Sequence, residues 1–349
     1  MQVQVMRLPV MTKPRQNVVY VAIGRVAGAE LAKNVSPVLN DDDNLLLGPS
    51  SAEPRRHPAV RGRYWGSSPS AKLDKELARR RGPAICVALP PTPGGLLSFC
   101  RVCASAIERN RAVSVIDLGR ELLGESPQGP DPAKAIEADV SEVLRRKPPM
   151  AERSRLEVAL AATLWRLWCR RSPVALSRFC ASGSRLHPQL ANLGRYHAGQ
   201  FPRDVGQAIL LSRFDELVLR ELSREWLTPL DLFVNAMKAR TGLYDWFTHM
   251  GDLYLTKRLL EWARHGQGRS VERREHPGEP SEMKRWSFRW RAGSEALLDA
   301  LPDLRIAPPV PIGGAVAYDA DRPWVCRFDP RGTPCLSRLG AAATRDPLA

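Results

Sequence analysis

Residues 211–266 read LSRFDELVLRELSREWLTPLDLFVNAMKARTGLYDWFTHMGDLYLTKRLLEWARHG, and three helices fall out of that run. Leu217, Val218, Leu219 and Leu222 give the first an apolar stripe at helical spacing. Thr228-Pro229 starts the second, with a hydroxyl to cap it and a fixed φ at the first helical position. Leu230, Leu232, Phe233 and Met237 continue its apolar face. The third runs from about Asp252 to Ala263, with Lys257, Arg258, Glu261 and Arg264 set among its leucines and Trp262. The strand-like Trp286-Ser287-Phe288-Arg289-Trp290 follows, so the order of elements predicts a winged helix-turn-helix, with 267–284 as a flexible wing tip or loop.

Working back toward the N-terminus, the pattern changes. Residues 1–16 read as a disordered tail, with Arg7 and Pro9 where a signal peptide would need an apolar core. Three short apolar runs then read as strands buried on both faces: Val18–Ile23, Ala84–Leu89 and Ala112–Ile116. A weaker strand spans Val35–Leu39, and helices fall between the strands, at 71–81 and 96–107. Strands alternating with helices predict a Rossmann-like α/β domain with a mostly parallel sheet over 17–147. Pro148-Pro149 marks its end. A mainly helical domain with the winged-helix unit is expected over 152–335, and 336–349 reads as a second tail.

Ligands of such sheets sit beyond the carboxyl ends of the strands. That geometry would bring together Gly24, Asp43 and Asp117, with Arg63 closing over an anion. Each has a plainer reading. Gly24 and Gly28 lack the third glycine and downstream acid of a dinucleotide fingerprint, so close helix–strand packing explains them, and no cofactor is expected. Asp41-Asp42-Asp43 could hold a divalent cation or form a solvated loop, and the absence of a further acid at ligand spacing favours the loop. An aspartate ending a strand, as Asp117 does, is also a common helix cap.

The seven cysteines include one close pair, Cys100 and Cys103, on the apolar helix LLSFCRVCASAI. They read as small packed hydrophobes, so no metal is expected there. His187 and His197 lie too far apart for a local metal pair and read as surface or packing residues. The formal net charge of +15 permits a nucleic-acid partner. Only nine of the 52 basic residues are lysine, however, and arginine beside abundant Ala, Gly, Pro and Leu is also what a GC-rich genome encodes. No run approaches the roughly 18 apolar residues that cross a bilayer, so no membrane partner and a cytoplasmic location are expected.

DDDNLLLGPSS with RYWGS, then AICVALPPTPGGLLSFCRVCASAI with VSVIDLG, resembles the bacterial domain of unknown function 1835. The stretch LSRFDELVLRELSREWLTPLDLF, then MGDLYLTKRLLEWA and IGGAVAYDADRPWVCRFD, resembles its usual C-terminal companion, domain of unknown function 3658. This chain has Gly24-Arg25-Val26 where the family commonly has Gly-Asp-Ser, and Leu46 where it often has serine. The resemblance implies the two-domain architecture and carries no reaction.

Two functions from different classes follow. The first is a nucleic-acid-binding or regulatory protein acting through the winged-helix unit. Lys257, Arg258 and Arg264 would lie on the helix entering a groove of DNA or RNA, and Arg289 and Arg291 on the wing. Winged helices that bind only protein make a protein partner the variant of that reading. The second is a small-ligand binder or enzyme using Gly24, Asp43, Arg63 and Asp117, for which no catalytic spacing names a reaction. The location of the arginines separates the two.

Overall fold

The computed structural model describes residues 18–339 apart from 24, 44, 47, 67–70, 80–83, 124–142, 145, 147, 184–187, 240, 245, 247–251, 266–269, 302, 322 and 329–332. The fold is mixed α/β, with twelve helices and a mostly parallel five-stranded sheet among the described residues. The chain divides into two units. One holds the described residues of Met1–Asp43, Ala52–Pro91 and Gly95–Trp165, and the other those of Asn44–Ser51, Thr92–Gly94 and Arg166–Ala349.

In chain order the elements begin with β1 (Val18–Ile23), α1 (Arg25–Ala32), β2 (Val38–Asp41) and the two-residue β3 (Gly48–Pro49) of the second unit. Then come α2 (His57–Trp65), α3 (Ala71–Leu77), β4 (Ala84–Leu89) and α4 (Pro93–Glu108). β5 (Val113–Asp117), α5 (Leu118–Leu123), β6 (Ala151–Glu152) and α6 (Arg155–Trp168) follow. The sheet order is β2-β1-β4-β5-β6, parallel except for the edge strand β6. The apolar runs at Val18, Ala84 and Val113 supply its three central strands, because helices cover a parallel sheet on both faces and demand side chains that can be buried either way. Gly28 shows how closely α1 lies against β2. A Cβ there would fall 1.9 Å from Asn40 Oδ1, so the glycine serves packing, as its spacing suggested. Cys100 and Cys103 are fully buried on α4, and burial pushes the Cys103 thiol well above its ordinary value, so Cys103 stays a neutral thiol.

The weak strand differs from its expected bounds. β2 starts at Val38 and continues through Asp41, which is buried, so the aspartate run is not a solvated loop. The sequence also reads as a helix over 133–146, a stretch that lies almost wholly outside the described residues.

The second unit contains α7 (Val174–Gly183), α8 (Pro188–Ala198), β7 (Arg203–Asp204), β8 (Ile209–Leu210) and α9 (Arg213–Arg220). α10 (Pro229–Ala239), α11 (Asp252–Arg264), β9 (Val271–Glu275), α12 (Glu282–Arg285) and β10 (Trp286–Trp290) follow. Thr228 and Asp231 close a reciprocal cap at the start of α10. The Thr228 N–H donates to Asp231 Oδ2 at 2.8 Å and the Asp231 N–H to Thr228 Oγ1 at 3.2 Å. β9 and β10 pair antiparallel, and Leu227 bridges Phe288 on the far side of β10. Part of the expected wing loop is therefore ordered structure, since Val271–Glu275 pairs along its whole length with Trp286–Trp290.

β11 (Val310–Gly313), β12 (Ala315–Ala317), β13 (Trp324–Phe328) and β14 (Pro334–Arg338) complete the unit. They form the sheets β12-β11-β3 and β14-β13-β7-β8, so a paired strand runs into the segment expected to be a tail. The Gly313-Gly314 pair has a steric reason. Gly313 has φ 59°, and a Cβ there would lie 2.3 Å from the Trp168 carbonyl oxygen. A Cβ on Gly314 would lie 2.0 Å from that of Cys169.

His197 is buried beside Trp168 and Phe201, each with its ring centroid 5.2 Å away. Burial pushes its pKa down to about 3, so the ring is neutral in the fold. The unfolded chain takes up this proton first, near pH 6.5, so the stability this group gives is complete above that pH and lost as pH falls toward 3. The buried Asp74, whose pKa lies at about 6, acts in the opposite sense over part of the same range. The informative quantity is therefore a difference between variants. Urea unfolding of the parent and His197→Leu at pH 6 and pH 4 is expected to show the parent losing more. The excess is about 1.4 kcal/mol per pH unit. Equal losses would show that His197 does not titrate as described.

No described helix is long and apolar enough to cross a membrane.

Candidate functional site

At the carboxyl end of β2 the first unit collects six ionisable side chains, all nearly inaccessible to solvent: Asp41, Asp43, His57, Arg61, Asp74 and Arg101. Arg61, from α2, lays its guanidinium on the Asp43 carboxylate, with Nε 3.0 Å from both oxygens and Nη2 against Oδ1. His57, one turn earlier, approaches the same carboxylate at 3.5 Å and rests edge-on against Trp165. Arg101, from the middle of α4, lies 2.8 Å from Asp41 and 3.1 Å from Asp74 of α3.

The electrostatics divide the three carboxyls. Burial would raise Asp43, but hydrogen bonds from His57 and Arg61 and the charges of Arg61 and Arg101 outweigh it and bring the group down to about 2. Asp74 goes the other way, to about 6. Burial dominates there, and the neighbouring Asp41 and Asp43 charges add to it against Arg101. Burial also lowers His57, which is neutral beside Asp43 despite the carboxylate's pull. Two guanidiniums thus hold two aspartates, with Asp74 able to take up a proton near pH 6. The charges are turned on one another rather than outward. That arrangement pins α2, α3 and α4 to the edge of the sheet, and no group of described residues is suited to hold a metal ion.

The expected strand-end residues fare differently in this arrangement. Asp43 is at its centre. Arg63 is exposed, because two positions along α2 is more than half a turn from the buried Arg61. Asp117 ends β5, and β1 and β4 lie between it and β2 in the sheet, so it does not join Asp43. Gly24 lies outside the described residues. Arg61, Arg101 and Asp74 were missed. The readable signal was Arg101, a cation in the middle of the apolar helix LLSFCRVCASAI, where only a buried partner could hold it.

In the second unit Arg258 is fully buried in α11. It donates from Nε to Asp215 Oδ1 at 2.6 Å and from Nη2 to Oδ2 at 2.9 Å. A guanidinium without exposed surface offers nothing to a phosphate, so Arg258 is a framework residue. Lys257 is half-buried and Arg264 exposed on the same helix, whose remaining described side chains are mostly buried.

The hairpin β9–β10 presents more. Register places Glu272, Arg274, Ser287 and Arg289 on one face and Val271, Arg273, Glu275, Trp286, Phe288 and Trp290 on the other, where Val271, Phe288 and Trp290 are buried. On the outer face Arg274 and Arg289 both lie over the Trp226 ring, 4.4 and 4.5 Å from its centroid. Glu272 pairs with Arg289 at 2.7 Å and with Arg291 at 3.5 Å. Three guanidiniums therefore face one carboxylate around an indole. Trp226 and Arg274 escaped the sequence reading because Trp226 joins this face only through the Leu227–Phe288 bridge.

Neither the family models nor the curated proteins searched contain a match to this chain.

Proposed function

We propose that the helices and hairpin between Arg213 and Trp290 form a winged helix-turn-helix that binds nucleic acid through its wing, in a regulatory protein. Support comes first from element order: a helix, one bridging residue, two helices and a hairpin. Leu227 adds a bridging residue beside β10, its N–H donating to the Phe288 carbonyl at 3.0 Å and its carbonyl accepting from the Phe288 N–H at 2.8 Å. The resemblance to domain of unknown function 3658 rests on 211–233, 250–263 and 312–329, and so takes in the helices but not the hairpin.

The observation that carries the proposal is the outer face of the hairpin, an indole flanked by Arg274 and Arg289 with Arg291 beside them. Guanidiniums neutralise phosphates and an aromatic face stacks on a base, a pairing that suits unpaired strands and tolerates sequence. The near-complete burial of α11 argues against that helix as the reading element and leaves Lys257 and Arg264 at most an accessory part. The alternative, a ligand site at the strand ends of the α/β unit, has weaker support because its charged side chains already pair with one another.

The test is fluorescence anisotropy of labelled oligonucleotides between about 50 and 200 mM salt. Binding is expected for single-stranded DNA and RNA, with log K falling against log salt at about −0.7 per phosphate contacted and a total slope of roughly −2 to −3. Duplex DNA is expected to bind more weakly. Absence of binding to all three at the lowest salt would refute the proposal.

A further inference from the structure

A second basic surface in the same unit is concave. The cleft lies between α8, α9, β7 and β13 and has a volume of about 230 Å³. Arg195, Arg203 and Arg213 line it, and Tyr196, Trp246 and Phe328 supply aromatic wall. Its charge is unbalanced. Glu216 is the carboxylate for Arg203 at 2.6 Å, Arg213 at 2.9 Å and also Arg220 at 2.9 Å, so one negative charge serves three guanidiniums. Arg195 adds a fourth. It lies over the Tyr196 ring with its Nη2 donating to the hydroxyl at 3.2 Å, and it has no acidic partner among the described residues. Arg203 uses Nε on the Leu211 carbonyl and Nη2 on Glu216, and among the described residues its Nη1 has no partner.

The walls are shaped for a flat group. Gly199 lets the Trp246 indole come so near that a Cβ there would stand 2.8 Å from two ring carbons. Phe328 is 58% exposed at the end of β13, so its ring is open to a ligand in the cleft. Cys326 in the floor is buried, and burial raises its thiol to about 12, so the cleft offers no thiolate nucleophile. What it offers is an excess of planar cations, which bind phosphate in a bidentate manner, beside rings that stack. The volume is below the roughly 300–1,000 Å³ of drug-sized sites, enough for a phosphate ester and one ring face.

We propose that this cleft binds a nucleoside monophosphate, its phosphate held by Arg195, Arg203 and Arg213 and its base against Phe328 and Trp246. The proposal stands independently of nucleic-acid binding by the wing.

Isothermal titration of the full chain with AMP, adenosine and orthophosphate tests it. AMP is expected to bind, and adenosine and orthophosphate each to bind at least about tenfold more weakly, since each lacks one half of the recognition. Arg195→Gln and Arg213→Gln are each expected to weaken AMP roughly tenfold. Arg195 is exposed and has no acidic partner, so its variant keeps the parent's melting temperature and shows that lost binding is not lost folding. Failure of AMP to bind at about 1 mM would overturn the proposal. So would equal affinity for adenosine or for orthophosphate, or parent-like AMP binding by both variants.

Discussion

Asp215→Ala is expected to destabilise the protein by about 3–5 kcal/mol, because it removes the buried carboxylate that takes two nitrogens of the buried Arg258 and leaves only the more exposed Glu261, at 3.1 Å, to balance the charge. Asp215 accepts four side-chain hydrogen bonds. Arg258 reaches it with two nitrogens, Trp262 donates to Oδ1 at 2.9 Å, and Ser212 donates to Oδ2 at 2.9 Å while capping α9. Burial would raise the Asp215 carboxyl, but the charge and hydrogen bonds of Arg258, with those of Trp262 and Tyr318, hold it below its ordinary range. Such a pair costs much to break and little to replace. The paired change Asp215→Leu with Arg258→Met is therefore expected to recover most of the loss. Urea unfolding measures both. A single variant within about 1 kcal/mol of the parent would contradict the account of Arg258 as framework.

Arg101→Met carries the second large effect, also about 3–5 kcal/mol at neutral pH, since Asp41 and Asp74 would share a buried site without their cation. Its pH dependence distinguishes it from an ordinary packing defect. Asp74 already has its folded pKa at about 6, above the ordinary 3.8, so its contribution to stability falls as pH rises through that window and is flat beyond it. Without Arg101 the two carboxyls hold protons to higher pH, and the window extends upward. The deficit of the variant is therefore expected to be larger at pH 8 than at pH 5. An equal deficit at both would mean that lost packing, not unpaired charge, is the cause.

The backbone of the α/β unit was legible because buried parallel strands write themselves as unbroken apolar runs, and VVYVAI and AICVAL could be little else. The charged network was not, because burial of a polar side chain is decided by partners distant in sequence. Asp43 and Arg61 are 18 residues apart and Asp41 and Arg101 are 60, so three adjacent aspartates looked like a loop. Choosing between Arg61 and Arg63 needed the phase of α2, which the weakly amphipathic HPAVRGRYW does not declare. Arg258 was misplaced for a related reason. Periodicity set it on a polar side of α11, whereas Asp215 and the Pro308 carbonyl, from other parts of the chain, close over it. The outer face of the β9–β10 hairpin depended on register, in that Arg274 and Arg289 meet over one indole only once Leu227 has bridged Phe288.

The central claim is that the wing, rather than α11, touches nucleic acid. The direct measurement compares two variants against the parent with one single-stranded oligonucleotide across the same salt range. In one, Arg274, Arg289 and Arg291 become Gln, and in the other Lys257 and Arg264 do. The wing variant is expected to lose about 0.7 of a unit of salt slope for each phosphate contact removed and to bind at least tenfold more weakly. The helix variant is expected to stay within about threefold of the parent. Parent-like binding by the wing variant, with the loss confined to the helix variant, would contradict the account.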